Sequence, residues 1–188
     1  NGKESQVIIT THSNMIACTL NLRNILWVTE GCTQSLEDVP SGDAAFFTKA
    51  DSNALLQLLL SKRAFLVEGA TEFILLPKLY EQLTGRTVEA DEVAVIPCGG
   101  VSYKRYLVIA ERANKRIAVI TDNDGQFDNI TKANEYNESH DDQHIFMDQS
   151  VEGWTWEACF YRENEEALDD FIEVEPGAKY LFHKKDYG

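Results

Sequence analysis

Two pairs of carboxylates stand out by type and spacing. Glu68 and Glu72 lie in Leu66-Val67-Glu68-Gly69-Ala70-Thr71-Glu72, and Asp122 and Asp124 in Ile120-Thr121-Asp122-Asn123-Asp124-Gly125. Each pair follows a short apolar run that reads as a strand. Carboxylate oxygens are hard ligands, and Mg²⁺ commonly takes one or two of them together with substrate phosphate oxygens. Glu68 and Glu72 are four apart, so a helix that starts by Gly69 puts them on one face near its positive end. Gly125 lets the chain turn freely, so Asp122 and Asp124 can face one point. Two acid pairs at two strand ends predict a divalent-metal centre. A calcium EF-hand is excluded, because the twelfth position counted from Asp122 is Ala133 and not a glutamate.

The elements that must position these acids read as a β–α alternation. Apolar runs at 64–67, 92–97 and 116–121 are expected strands, with helices at 71–83 and 103–114 between them. Gly85 should close the first helix, and Pro77 should kink it or mark its start. Upstream, the β-branched run 6–11 predicts a buried strand and 15–20 a short helix capped by Ser13 or Asn14. Residues 24–29 read as a second strand, 32–43 as a polar loop and 51–62 as a leucine-rich helix. Downstream, 128–142 reads as a loop with a helical turn, 144–147 as a short strand and 153–161 as the start of a helix or turn. Most acids of 162–175 read as a solvated face. The whole predicts an α/β fold, a mainly parallel sheet flanked by helices, with its site beyond the carboxyl ends of the strands.

The composition allows a sizeable core: 188 residues, 44% of them hydrophobic. No apolar run approaches the ~20 residues of a membrane helix. Neither a signal peptide nor a starting Met opens the chain, and its abrupt start reads as a piece of a longer, cytoplasmic protein. Four scattered cysteines show neither zinc-site spacing nor a disulfide framework. The net charge of −14 opposes nucleic-acid binding by the overall field. Against it stand Lys104, Arg105, Arg112, Lys115 and Arg116, which cluster around the second helix of the alternation and are candidates for a local DNA-facing patch.

Leu66-Val67-Glu68-Gly69 with Glu72, followed by Thr121-Asp122-Asn123-Asp124, resembles the Toprim domain of topoisomerases, primases and several nucleases. Within that group the chain most resembles the overcoming-lysogenization-defect (OLD) nucleases, whose relatives include Gabija-type defence enzymes. Gln6-Val-Ile-Ile-Thr-Thr-His12-Ser13 is similar to the strand and switch histidine of an ABC-type ATPase, which precedes Toprim in that family. The resemblance implies three parts: an ATPase tail at 1–50, a linking helix at 51–63 and a Toprim domain at 64–188. It implies hydrolysis of DNA phosphodiesters with two Mg²⁺ or Mn²⁺ ions ~4 Å apart, which activate water and stabilise the leaving oxygen. Glu68 and Glu72 would serve one ion, Glu68 also as general base, and Asp122 and Asp124 the other. Glu157, in a segment similar to the family's Thr-Leu-Glu, would complete the cluster.

Lys184 and Lys185 are candidates for the family's late transition-state lysine, and His12 for sensing an ATP γ-phosphate. No Gly-x-x-x-x-Gly-Lys-Ser/Thr segment occurs, so ATP is expected only in the full-length protein. The implied partners are DNA, the remaining ATPase portion, further copies in a homo-oligomer, and a partner protein of a defence system. No membrane partner is implied. Two rivals use the same residues. One is a haloacid-dehalogenase-like phosphatase with Asp122 as nucleophile and Asp124 as acid, which leaves Glu68 unexplained. The other is a Toprim-like module that binds nucleic acid or a partner without cutting.

Overall fold

The computed structural model describes residues 6–11, 13, 22–29, 32–49 and 52–168. The expected helix at 15–20, His12, Lys184 and Lys185 lie outside the described residues. Elements run β1 (Leu26–Thr29), β2 (Cys32–Ser35), α1 (Ser41–Lys49), α2 (Ser52–Leu60), β3 (Arg63–Val67), α3 (Ala70–Thr84), β4 (Val93–Pro97), α4 (Tyr103–Arg112), β5 (Arg116–Ile120), α5 (Phe127–Ser139), β6 (Gln143–Phe146) and α6 (Trp156–Glu163). β1 and β2 form an antiparallel hairpin. The other four strands form a parallel sheet in the order β4-β3-β5-β6.

Alternation along the strands feeds two cores. Ala64, Leu66, Ile96, Ile117, Val119 and Ile145 face one side, where they meet Leu58 and Leu59 of α2, Tyr106 and Ile109 of α4 and Ala133 of α5. Leu36, Val39 and Phe47 join that same cluster, so the hairpin and α1 pack on the sheet's own core. Val67, Val93 and Val95 face the other side, against Leu76 and Tyr80 of α3. From β3 the chain leaves toward β4 through α3. From β5 it leaves in the opposite direction, toward β6, through α5. The switch point of the sheet therefore lies between the carboxyl ends of β3 and β5, where open α/β sheets place their ligands. Val67 pairs with Ile120 there, so the next residues, Glu68 and Thr121-Asp122, leave the sheet side by side.

Several expectations need correction. Residues 6–11 form no strand, and Val7 and Ile8 are 78% and 81% exposed. A strand's backbone groups need a neighbour, and none pairs with this run among the described residues. Residues 32–43 are not a loop. Cys32–Ser35 pairs with β1 across a two-residue connection, and helix α1 starts at Ser41. The Pro40 carbonyl accepts from the Asp43 and Ala44 amides, both at 3.0 Å, where a missing N–H costs the helix nothing. Pro77 is not a start, since α3 runs through it from Ala70 to its Gly85 cap.

Residues 128–142 are mostly a helix, α5, despite their polarity. Its buried stripe is thin, Ile130 and Ala133 with Tyr136 beside them. Asn137 adds a backbone-like pair to β6: Nδ2 donates to the Ile145 carbonyl at 2.8 Å, and Oδ1 accepts from the Ile145 amide at 2.7 Å. The strands at 63–67, 93–97 and 116–120 and helices α3 and α4 lie where the alternation predicts them.

Candidate metal centre

Glu68 and Asp122 meet at the switch point. Glu68 Oε2 accepts from the Thr121 hydroxyl at 2.9 Å and from the Asp122 amide at 3.2 Å. The Glu68 carbonyl accepts from Gly99, which ties in the turn after β4. Gly99 and Gly100 have φ of 67° and 51°, in the left-handed region open to glycine, so that turn folds back without a side chain in the way. Asp124 is left-handed too, at φ 54°, a conformation aspartate tolerates better than most residues.

Asp122 and Asp124, past the end of β5 where the chain turns, line one cavity, while Asn123 between them is wholly buried. Asn123 Nδ2 donates to the carbonyls of Asp148 and Ser150 at 2.9 Å and of Gly153 at 3.1 Å. Its Oδ1 accepts from the Gly125 amide at 2.8 Å. Asn123 therefore anchors the 148–153 loop, which delivers α6. Asp122 Oδ1 then accepts from the Trp156 amide at 2.8 Å, in the first turn of α6, whose own cap is Thr155. The next residue, Glu157, accepts from the Thr71 hydroxyl at 3.3 Å and so reaches the first turn of α3.

Three of the expected ligands, Glu68, Asp122 and Glu157, are thus linked to one another's elements by hydrogen bonds. Glu72 is placed differently. Its Oε2 accepts from the Gly69 amide at 3.1 Å, the return bond of a capping box, and it is 6% exposed. Asn123, Thr121 and Thr71 are site residues that the sequence reading missed. The one signal for Asn123 was its place between two acids that had to point the same way.

Burial pushes Asp122 up to about 7, and the charges of Glu68, Glu157 and Glu72 add to the shift. The Trp156 amide opposes it and does not win. Tyr103 is also raised, by burial and by the Glu68 charge, and stays a hydroxyl donor at neutral pH. Among the described residues no three Asp, Glu, His or Cys side chains are drawn together in a coordinating arrangement. The donor set still fits a hard divalent ion. It is all oxygen, it is partly buried, and its carboxylates repel one another in a way that a cation would relieve.

A pH dependence follows from this repulsion. Between 3.8 and about 7, folded Asp122 holds a proton that the unfolded chain has released. Its contribution to stability is therefore largest at low pH and falls as the pH rises through that window. Mg²⁺ must displace that proton, so at about pH 8 it should raise the thermal midpoint of the wild type, and the gain should shrink at about pH 6. Asp122→Asn should show neither effect in the same melting series.

The basic residues do not form one patch. Arg105 donates to Asp43 Oδ1 at 2.6 Å and lies over the Phe46 ring, tying α4 to α1. Lys115 donates to the Ser61 carbonyl at 2.6 Å, and burial lowers its pKa. Arg116 pairs with Asp142 at 2.8 Å, at the amino end of β5 and so at the opposite end of the strand from Asp122. Arg112, in the last turn of α4, is exposed and far along the helix from the site. Of the five, only Lys104 lines the acid-bearing cavity, and it is joined there by Lys132 of α5.

Residues 59–124 match the family model described as the overcoming lysogenization defect protein-like TOPRIM domain. Over that stretch the chain is similar to an OLD-like Toprim domain. The match runs from the end of α2 through β5 to Asp124, and so holds both acid pairs. The match agrees with the α/β fold described above; Toprim domains are nucleic-acid-related and typically bind divalent metal such as Mg²⁺. No curated protein matches the chain. Among the described residues no helix is long and apolar enough to cross a membrane.

Proposed function

We propose that this Toprim domain is a metal-dependent nuclease that hydrolyses DNA phosphodiesters. The observation that carries the reading is the Glu68 bond to Thr121 and Asp122 across the switch point. It makes one acidic site from two strand ends, and the phosphatase reading has no use for Glu68 there. Glu68, Asp122 and Asp124 would hold Mg²⁺ or Mn²⁺, with Glu157 beside them and Glu72 acting through its cap on α3. The ion, when bound, supplies Lewis acidity toward phosphate oxygens and lowers the pKa of water.

The chain's own part is placement. Both bonds to the Glu68 side chain fall on Oε2, which leaves Oε1 to take a proton from an attacking water. Asn123 fixes the spacing of Asp122 and Asp124. Coupling to an ATPase, a homo-oligomeric full-length protein, the late lysine at 184 or 185 and a role in phage defence belong to the same proposal. They are supported by the sequence resemblance, including that of residues 6–13.

The test is supercoiled plasmid incubated with the full-length protein and Mg²⁺ or Mn²⁺. Nicked or linear product, lost on chelation, is the expected result. Intact plasmid under both metals, with DNA still bound, overturns the nuclease and leaves a binding module.

A further inference from the structure

A cleft opens directly beside the acids, between α4 and α5. Its volume is about 470 Å³, within the ~300–1,000 Å³ of small-molecule sites. Its walls come from facing stripes on the two helices, one side bearing Leu107 and Val108 and the other Ala133, with Ile145 and Met147 toward the sheet. One end is Glu68, Thr121, Asp122 and Asp124. Tyr103, whose phenol feels the Glu68 charge, stands at that end as well. Lys104 and Lys132 line the cleft from opposite helices, both exposed and neither in a salt bridge among the described residues. Glu111 lines it too.

An occupant must suit three environments at once: oxygens that want a metal-bound anion, cations on both walls, and an apolar slot. A nucleotide does so, with its phosphate at the acids and its base in the slot. We infer that this cleft seats one nucleotide of the DNA strand adjoining the phosphate to be cut, its base between α4 and α5 and its backbone gripped by Lys104 and Lys132. The inference rests on the nuclease reading for the identity of the strand. A subsite that holds a base by apolar contact and grips backbone by charge tolerates any sequence. The two lysines set local positive charge beside the acids, in a chain whose net charge is −14.

The experiment is anisotropy of a labelled single-stranded oligonucleotide with full-length protein in Ca²⁺, comparing wild type with Val108→Trp, which fills the slot, and Lys132→Glu. Lys78→Glu, on α3, is the control for net charge. Val108→Trp and Lys132→Glu should each weaken binding about tenfold or more, and Lys78→Glu less than about twofold. Scanning the oligonucleotide with single abasic residues should find one position whose missing base weakens wild-type binding but not that of Val108→Trp. If Val108→Trp fails to fold, as circular dichroism would show, the abasic scan on wild type and Lys132→Glu carry the test.

Equal losses for Lys132→Glu and Lys78→Glu, or no sensitive abasic position, would overturn the subsite. So would free dTMP that binds the cleft while strand binding ignores Val108→Trp. The two proposals fail separately. Cleavage of plasmid at the wild-type rate by Val108→Trp removes the subsite and keeps the nuclease. Subsite-dependent binding without cleavage in Mg²⁺ or Mn²⁺ does the reverse.

Discussion

Asp122→Ala should abolish metal-dependent plasmid cleavage, by about three orders of magnitude or more in rate, while leaving most DNA binding intact. A ligand that helps hold a catalytic cation is worth several kcal/mol of transition-state stabilisation, and each 1.36 kcal/mol is about tenfold in rate. Asp122 has a second role, as acceptor for the Trp156 amide at 2.8 Å. Alanine removes both roles. Asp122→Asn keeps an acceptor for Trp156 and removes only the anion, so it separates chemistry from folding. It should cut as poorly as alanine yet melt at or above the wild-type temperature without metal, since it relieves the repulsion from Glu68, Glu157 and Glu72. Glu68→Gln supplies the third arm. A nuclease should lose nicking with it, whereas a dehalogenase-type phosphatase built on Asp122 and Asp124 should keep its activity on small phosphate esters. Wild-type nicking by Asp122→Asn would remove Asp122 from the reaction.

The strands and the acids at their ends were legible because both are local. Continuous apolar runs ending in Glu68 and Asp122 need only the period of a strand and a glycine to be recognised, and the parallel sheet followed from the helices between them. What was hidden is non-local. Glu72 is the exception, a local contact: its carboxylate accepts from the Gly69 amide and caps its own helix. The five basic residues are close in sequence, yet α4 runs away from the site and the chain re-enters the sheet at its far end. Arg116 therefore pairs with Asp142, a long strand away from the acids. The polar stretch after Asp124 forms a helix because Asn137 bonds the backbone of β6, a contact that no hydropathy pattern contains. Lys132 became visible only once that helix existed.

Asn123 is the residue whose loss should cost the fold most per atom changed. Its side chain is wholly buried: its two N–H groups are shared among three carbonyls, and its oxygen accepts from one amide. Asn123→Ala leaves those groups without their partner, at ~1–3 kcal/mol for each one that water cannot reach. Loop relaxation will recover part of this, so a loss of about 3 kcal/mol in urea unfolding is expected. Asn123→Asp discriminates further. It has nearly the same volume, but at neutral pH its oxygens would face the carbonyls of Asp148, Ser150 and Gly153 with no proton to offer. Burial and those carbonyls would hold the new carboxyl above its ordinary pKa of about 4, so the variant should lose stability as pH rises through that value. It should therefore be worse than alanine at neutral pH and close the gap in acid. In both variants Mg²⁺ should stabilise less than it does the wild type, because the loop that brings Trp156 and Glu157 to Asp122 hangs on the same side chain. Asn123→Asp with wild-type stability at neutral pH would mean that the 148–153 loop is not held by this amide. The reach of Glu157 to Thr71, and of its charge to Asp122, would then need another cause.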